Sequence, residues 1–208
     1  MIFLNTLAIN YLYSVNYLIK MGLFQSNLKE LVRNNIKIVK KDGRADFGYA
    51  KKTLFIMYEV FLMPPKEHFF QGADEKLAKI VQEITKETLL GFVRVIIMPL
   101  SNTKRVNYYP YAIKNGIKDF ENIGVINDFL PFNNLHYFAD YEYIIKKFSG
   151  RGVGGKVLDY IIDDLRKRKI RFAGTSIIHP DAVPMFNAHK FIPFGKKGDV
   201  YNFAKRIA

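Results

Sequence analysis

Ser149-Gly150-Arg151-Gly152-Val153-Gly154-Gly155-Lys156 sets four glycines and two cations between two patterns of different period. Before it, Tyr141 to Phe148 reads as an apolar strand. After it, Val157, Leu158, Ile161, Ile162 and Leu165 recur at helical spacing, so Val157 to Lys169 reads as a helix. A glycine-rich strand-to-helix turn limits the fold to one in which the helix start meets a ligand or a neighbouring backbone. Glycine lets the backbone come close. The helix that follows aims unpaired N–H groups and a positive dipole end at an anion. The turn therefore implies a phosphorylated ligand.

Two familiar phosphate signatures fit it poorly. Gly150-x-Gly152-x-x-Gly155 matches the dinucleotide fingerprint by letter, but that fingerprint needs an acid about 20 residues on to hold a ribose. Thr175 stands there, and the nearest acid is Asp181. The chain after the turn is also too short for the rest of a dinucleotide-binding fold. A Walker loop needs Ser or Thr after its lysine, and Lys156 is followed by Val157.

Composition narrows the chemistry. Among 208 residues there is no cysteine, which excludes disulfides, thiolate metal sites and cysteine nucleophiles. The four histidines, at 68, 136, 179 and 189, have no metal-ligand spacing, so no metal is expected. The net charge is +13, and residues 144–208 hold 14 Lys/Arg against 5 Asp/Glu, which is +9 around the glycine turn. Such a surface suits a nucleotide-bearing cofactor, an acidic carrier protein or nucleic acid; it also fits plain solvated lysines. Met1 to Ile19 is uncharged but diluted by three Asn, a Thr and a Ser. It lacks a basic leader region, so residues 1–25 read as an apolar extension, and membrane association through 1–19 is the lesser alternative to a cytoplasmic protein. Met21 is an alternative start.

Residues 26–208 read as one domain. Ser26 caps a short helix reaching Asn34. Ile36 to Lys40 reads as a strand ended by an Asp42-Gly43 turn. Leu54, Met57, Tyr58 and Phe61 suggest a helix over 49–63, stopped by Pro64-Pro65. Leu77 to Ile84 and Leu89 to Met98 suggest a hairpin. The Asn-, Pro- and aromatic-rich stretch 99–134 reads as an irregular insertion, a short helix within loop, of the kind that lines substrate sites. Ile170 to Ile178 is a strand and Pro180 to His189 a short helix. Phe191 to Phe194 and Val200 to Ala204 form a hairpin around Gly195-Lys196-Lys197-Gly198.

Gly150-Arg151-Gly152-Val153-Gly154, then a helix, a strand and Ala182-Val183-Pro184-Met185-Phe186-Asn187-Ala188-His189-Lys190-Phe191, resembles the GNAT N-acetyltransferase superfamily. The likeness covers about residues 140–195. It implies an α/β fold with a mixed, mostly antiparallel twisted sheet flanked by helices, splayed into a V between the 141–148 and 170–178 strands. It implies acetyl-CoA or another acyl-CoA as donor, with its pyrophosphate held by the N–H groups of Arg151, Gly152, Val153, Gly154 and Gly155. Lys146, Lys147 and Lys156 would assist, pantetheine would pair along the strand at Ile145, and Phe186 would lie against the cofactor. A fainter likeness, to the branch that makes acyl-homoserine lactones and N-acyl amino acids, implies an acyl carrier protein as donor instead.

The departures matter chemically. Ser149 stands where the family commonly has Gln or Arg, and His189-Lys190 where it has Leu-Gly. Phe186 stands where many members have a Tyr that protonates the leaving thiolate. A thiol with a pKa of about 8.5 leaves tolerably without that proton. His179 falls where many members have Asn. An ordinary amine acceptor needs a base, since well under about 1% of a free lysine amine is neutral at pH 7. Asp140 and Glu142, on one face of the strand leading to the turn, are the candidate bases, beside a reading as plain solvated acids. Arg94, inside an apolar strand, is a candidate substrate ligand or an internal ion-pair partner. A non-catalytic basic binder on the same fold is the third reading of the chain.

Overall fold

The computed structural model describes residues 34–47, 50–64, 87–129, 152–177, 182–197 and 200–207. Its elements in chain order are β1 (Ile36–Phe47), β2 (Ala50–Leu62), β3 (Thr88–Pro99), a 3-10 turn (Leu100–Thr103), α1 (Tyr109–Lys114), β4 (Asn122–Phe129), α2 (Val153–Lys167), β5 (Phe172–Ile177), α3 (Val183–Ala188), β6 (Ile192–Lys197) and β7 (Val200–Arg206). The strands form one mixed sheet in the order β1-β2-β3-β4-β5-β7-β6. Pairing is antiparallel except between β4 and β5. The expected α/β class, a mostly antiparallel sheet flanked by helices, is the class observed.

Side-chain alternation divides the core. Ile56, Tyr58, Val60 and Leu62 of β2, with Val93 and Val95 of β3, are fully buried under α2 and α3, where Val157, Leu158, Ile161, Leu165 and Phe186 meet them. On the other face, Ile96 and Met98 of β3, Ile123 of β4 and Phe172 of β5 pack beneath Leu100, Tyr108 and Ala112. The sheet is thus covered on both sides where β3, β4 and β5 run. Burying one large aliphatic side chain contributes about 2 kcal/mol, so apolar burial in these two layers strongly stabilises the described sheet.

The three α-helices among the described residues end alike. After α1 the amides of Gly116 and Ile117 return to the carbonyls of Ile113 and Ala112. After α2, Lys169 and Ile170 return to Arg166 and Leu165, and after α3, Lys190 and Phe191 return to Asn187 and Phe186. This paired closure needs a left-handed residue just past the cap. Gly116 supplies it at φ 77°, whereas Lys169 and Lys190 adopt it at φ 60° without being glycine.

Several expectations are corrected. The segment 49–63 is a strand: Ile56, Tyr58, Val60 and Leu62 share its buried face at period two, and the helical spacing of Leu54, Met57, Tyr58 and Phe61 joins residues from opposite faces. Asp42-Gly43 is not a turn, because β1 continues to Phe47 with Gly43 opposite Phe55. The Phe55 ring fills the space there, and a Cβ on Gly43 would fall 2.5 Å from it. The stretch 99–134 holds the expected short helix, α1, but the rest is not all loop: it contributes β4, a central strand. The strand parallel to β5 over Ala173–Thr175 is β4, with β7 on the other edge. Asn122, Gly124 and Asn127 interrupt the apolar run of β4, and Gly124 is required because Leu165 of α2 lies 2.8 Å from where its Cβ would stand.

The extension 1–25, the helix from Ser26 as far as residue 33, the strand at Leu77 to Ile84 and the strand at Tyr141 to Phe148 lie outside the described residues. Among the described residues, no helix is long and apolar enough to cross a membrane.

Candidate functional site

The sheet parts at one place. β4 and β5 pair only at Gly124–Ala173, Val125–Gly174 and Ile126–Thr175. Beyond that point β4 continues on β3, with Asp128 opposite Arg94 and Phe129 opposite Val93. β5 continues on β7, with Ser176 opposite Asn202 and Ile177 opposite Tyr201. Each strand keeps its outer neighbour and loses the other. The buried Thr175 hydroxyl donates to the Ile126 carbonyl at 2.9 Å, a side-chain bond at the last rung of the ladder. One residue later β4 bulges: Val95 pairs with Ile126 and Arg94 with Asp128, leaving Asn127 as the extra residue. A bulge bends its strand and strengthens the local twist, which turns β4 away from β5.

Helix α2 runs antiparallel to these two strands. Leu165, near its C-terminus, packs on Gly124, where the parallel ladder begins. From Leu165 back to Val153 the helix rises about 18 Å. From Gly124 to Phe129 the strand advances about 17 Å. The N-terminus of α2 therefore lies at the end where β4 and β5 part.

That N-terminus is the second half of the glycine turn. Gly152 caps α2 in the left-handed conformation, φ 82° and ψ 10°, which a residue with a Cβ adopts at a cost of about 1–2 kcal/mol. The first helical bond runs from the Lys156 amide to the Gly152 carbonyl. The amides of Val153, Gly154 and Gly155 precede it, so no helix carbonyl receives them. The helix begins at Val153, four residues before the expected start, and so Gly154 and Gly155 belong to its first turn.

His189 is a residue whose place in the site the sequence did not reveal. Its ring lies against Gly155: a Cβ there would fall 3.0 Å from Cε1. Its Nδ1 is 2.8 Å from the Met185 carbonyl and its Nε2 is 3.4 Å from Asp159. Lys205 donates to the His189 carbonyl at 2.6 Å, and burial lowers the Lys205 pKa against the opposing charge of Asp159. Thus α3 and β7 both brace the first turns of α2. Spacing alone gave no sign of this, because His189 reaches Gly155 from another element.

The structure places the predicted residues unevenly. Gly152, Val153, Gly154, Gly155 and Lys156 come together at the start of α2. Phe186 is fully buried, 5.1 Å edge-to-face with Phe191 and 5.8 Å stacked on Phe203. Arg94 sits in β3 between Met57 and Asp128, on the sheet face away from α2. Asp140, Glu142, Ile145, Lys146, Lys147, Arg151 and His179 lie outside the described residues. Among the described residues, no group of three or more His, Cys, Asp or Glu could hold a metal.

On the face opposite α2, a cleft of about 220 Å³ adjoins the parting. Ile126, Asn127 and Ser176 bring it to the diverging strands, and Asn102, Thr103 and Val106 form part of its outer wall.

The chain is thus an α/β protein with a mixed seven-stranded sheet that parts between two parallel strands. No family model and no curated protein matches it. Among solved structures it is similar to FeeM, an N-acyl amino acid synthase from uncultured soil microbes, at 9% identity and a TM-score of 0.35, over 74% of this chain and 69% of that one. A likeness at this level assigns no residue and no activity to the present chain.

Proposed function

We propose that the protein is an acyltransferase that moves an acyl group from a phosphopantetheine thioester, most simply acetyl-CoA or another acyl-CoA, to an amine. The observation that carries this reading is the parting of β4 and β5 after Ile126 and Thr175, with the Gly152-capped start of α2 at the same end. The order of the two motifs, around Gly152 and around Phe186, supports it.

In this reading the amides of Val153, Gly154 and Gly155 receive the donor's pyrophosphate, assisted by Lys156 and by the proposed Arg151, Lys146 and Lys147. The pantetheine arm lies along β4 beyond Ile126, where β5 no longer supplies carbonyls. The amine nitrogen attacks the thioester carbonyl, a C–N bond forms and the C–S bond breaks. The proton lost by the amine ends on the departing sulfur, giving an amide and a free thiol. A β4 N–H beyond the last rung steadies the oxyanion that forms on the way. With Phe186 buried and without a proton to give, the thiolate leaves unassisted by that side chain. Glu142 or Asp140 is the proposed base.

Calorimetry with CoA and acetyl-CoA, on the wild type and on Gly152→Ala, tests the donor half. Wild type should bind both, and Gly152→Ala should weaken binding about tenfold, or ~1.4 kcal/mol. Absence of CoA binding, together with nucleic-acid binding that falls steeply with salt, would overturn the reading. The +9 charge of residues 144–208 favours a second donor, an acidic acyl carrier protein. Faster amide formation from carrier thioesters than from acyl-CoA would select it.

A further inference from the structure

The end of the sheet away from the parting carries a charge that the fold does not use. There β3 ends at Pro99, β4 begins at Asn122, β5 begins at Phe172 and β7 ends at Arg206. The connections 100–121 and 168–171, which close this end, lie wholly within the described residues. Arg171 ties them together. Its guanidinium donates to the Gly116 carbonyl at 3.0 Å and to the Glu121 carboxylate at 2.7 and 2.8 Å. Its own carbonyl accepts from the Ile207 amide at 2.8 Å. Three stretches of chain, 114–121, 167–171 and 206–207, thus converge on one surface.

They bring Lys114, Lys118, Lys167, Lys169 and Arg206 there, all exposed. The acids beside them are already engaged: Glu121 by Arg171, Asp119 by Lys104 and Tyr109, Asp163 by Arg166 and Asp164 by Arg168. The helix ends account for little of the excess. The C-termini of α1 and α2 each carry about half a negative charge, which offsets about one cation of the five. Phe120 stands in the same loop, 74% exposed, with the Lys118 ammonium 5.8 Å from its ring centroid. Nothing in the core explains an aromatic ring left in water among cations.

We infer that this end binds a single-stranded nucleic acid, with phosphates against the lysines and Arg206 and one base stacked on Phe120. Cations that track a backbone and an open ring that takes a base are the two parts such a surface needs. A protein partner would call for a patch whose centre is depleted in charge, and a membrane for a broad apolar face. One ring among five cations gives neither. The ring also favours a single strand over a duplex, since it stacks only on a base that has left its pair. The inference is independent of the acyltransferase reading. Helix α2 is about 22 Å long, so a strand held at its C-terminal end leaves the Gly152 cap free.

Fluorescein-labelled oligouridylate of about 12 nucleotides, followed by anisotropy, is the probe, a length within the usual span of single-strand sites. With about four phosphates neutralised, log affinity should fall against log salt with a slope of about −2.8, a loss of about fiftyfold between about 50 and 200 mM. Lys118→Gln with Lys169→Gln should weaken binding at least tenfold and bring the slope to about −1.4. Lys37→Gln with Lys41→Gln, an equal loss of charge on β1, should leave binding unchanged to within about twofold. Phe120→Ala should weaken binding about tenfold at an unchanged slope, because stacking releases no counterions. Saturating CoA should not displace the oligonucleotide. No binding at low salt, equal weakening by the two lysine pairs, or displacement by CoA overturns the inference. So does binding of oligoglutamate, of anionic vesicles or of the matching duplex at least as tight as that of the single strand.

Discussion

The ring of His189 occupies the space that a side chain on Gly155 would need: a Cβ at Gly155 would stand 3.0 Å from Cε1 and 3.4 Å from Nε2. Gly155 therefore suits the packing of α3 on α2 whether or not a ligand binds, and a side chain there needs the His189 ring to give way by a few tenths of an ångström. Alanine is the better helix former by about 1 kcal/mol, so the sign of Gly155→Ala depends on His189. With His189 present, held by its contact with the Met185 carbonyl, Gly155→Ala should destabilise the protein by about 1 kcal/mol. In a His189→Ala background the same substitution should stabilise it by about as much. Urea unfolding of the four variants measures the coupling. Additive effects would show that the ring moves aside freely.

Asp164 holds α2 to the sheet. It accepts from Tyr58 at 2.8 Å, from Lys40 at 2.7 Å and from Arg168 Nε at 3.0 Å, while Arg168 also grips Asp42 at 2.9 and 3.0 Å. Burial alone would raise the Asp164 pKa. The hydrogen bonds from Lys40, Tyr58 and Arg168, with the Arg168 charge, outweigh it and hold the carboxyl below the ordinary range. Burial first, and then the bond to Asp164, pushes the Tyr58 phenol well above its ordinary value, so it stays a donor throughout. A carboxyl depressed in the folded state contributes stability above its unfolded pKa of about 3.9 and loses it as pH falls through the folded value. Asp164→Asn should therefore cost about 3 kcal/mol at pH 7. Its deficit against wild type should shrink below about pH 4. Thermal melts between pH 2.5 and 7 decide this, and a deficit independent of pH would mean that packing, not charge, is lost.

Lys169 and Lys190 end α2 and α3 in a backbone region that glycine enters freely and lysine enters at a cost of about 1–2 kcal/mol. The sequence marks one of these positions, since Lys190 stands where the resemblance has glycine. Lys169→Gly and Lys190→Gly should each stabilise the fold, by up to about 1 kcal/mol, because the flexible unfolded glycine offsets part of the relief. The sites belong to different helices, so the double variant should add to within about 0.5 kcal/mol. A loss of stability would show that the lysine side chains make compensating contacts.

What the sequence disclosed depended on how local the signal was. The helix α2, the strand β5, the helix α3 and the β6–β7 hairpin carry their pattern within a few residues: one apolar face on α2, Pro184 in the first turn of α3, and Gly195 at φ 85° in the bulge of β6. β2 misled because it is apolar on both faces, so Leu54, Met57, Tyr58 and Phe61 could be joined across faces into a helical stripe. β4 was hidden for the opposite reason. Its Gly124 is explained only by Leu165, 41 positions later, and its Asn127 only by the bulge against β3. The glycine turn was legible as a strand-to-helix junction, but its cap at Gly152 was not, since the apolar stripe that marks the helix begins only at Val157. The parting beside it was expected only from the resemblance, at the 170–178 strand, because two strands that stop pairing leave no mark in either one's sequence.

The side-chain bond from Thr175 to the Ile126 carbonyl at that parting can be removed without changing its shape. Thr175 is fully buried and gives its hydroxyl proton to the Ile126 carbonyl. Thr175→Val keeps the branching and deletes the donor, leaving a buried carbonyl short of one partner at a cost of about 1–2 kcal/mol. The ladder loses its last fastening, so hydrogen exchange at Val125 to Asn127 and at Gly174 to Ser176 should quicken relative to β3. The start of α2 is untouched, and CoA affinity should hold. If the protein is the proposed acyltransferase, with donor and acceptor meeting at the gap between β4 and β5, the acyl-transfer rate should fall about tenfold, or ~1.4 kcal/mol in the barrier. Unchanged exchange in those six residues would show that β3 and β7 alone fix the separation and that Thr175 only fills space.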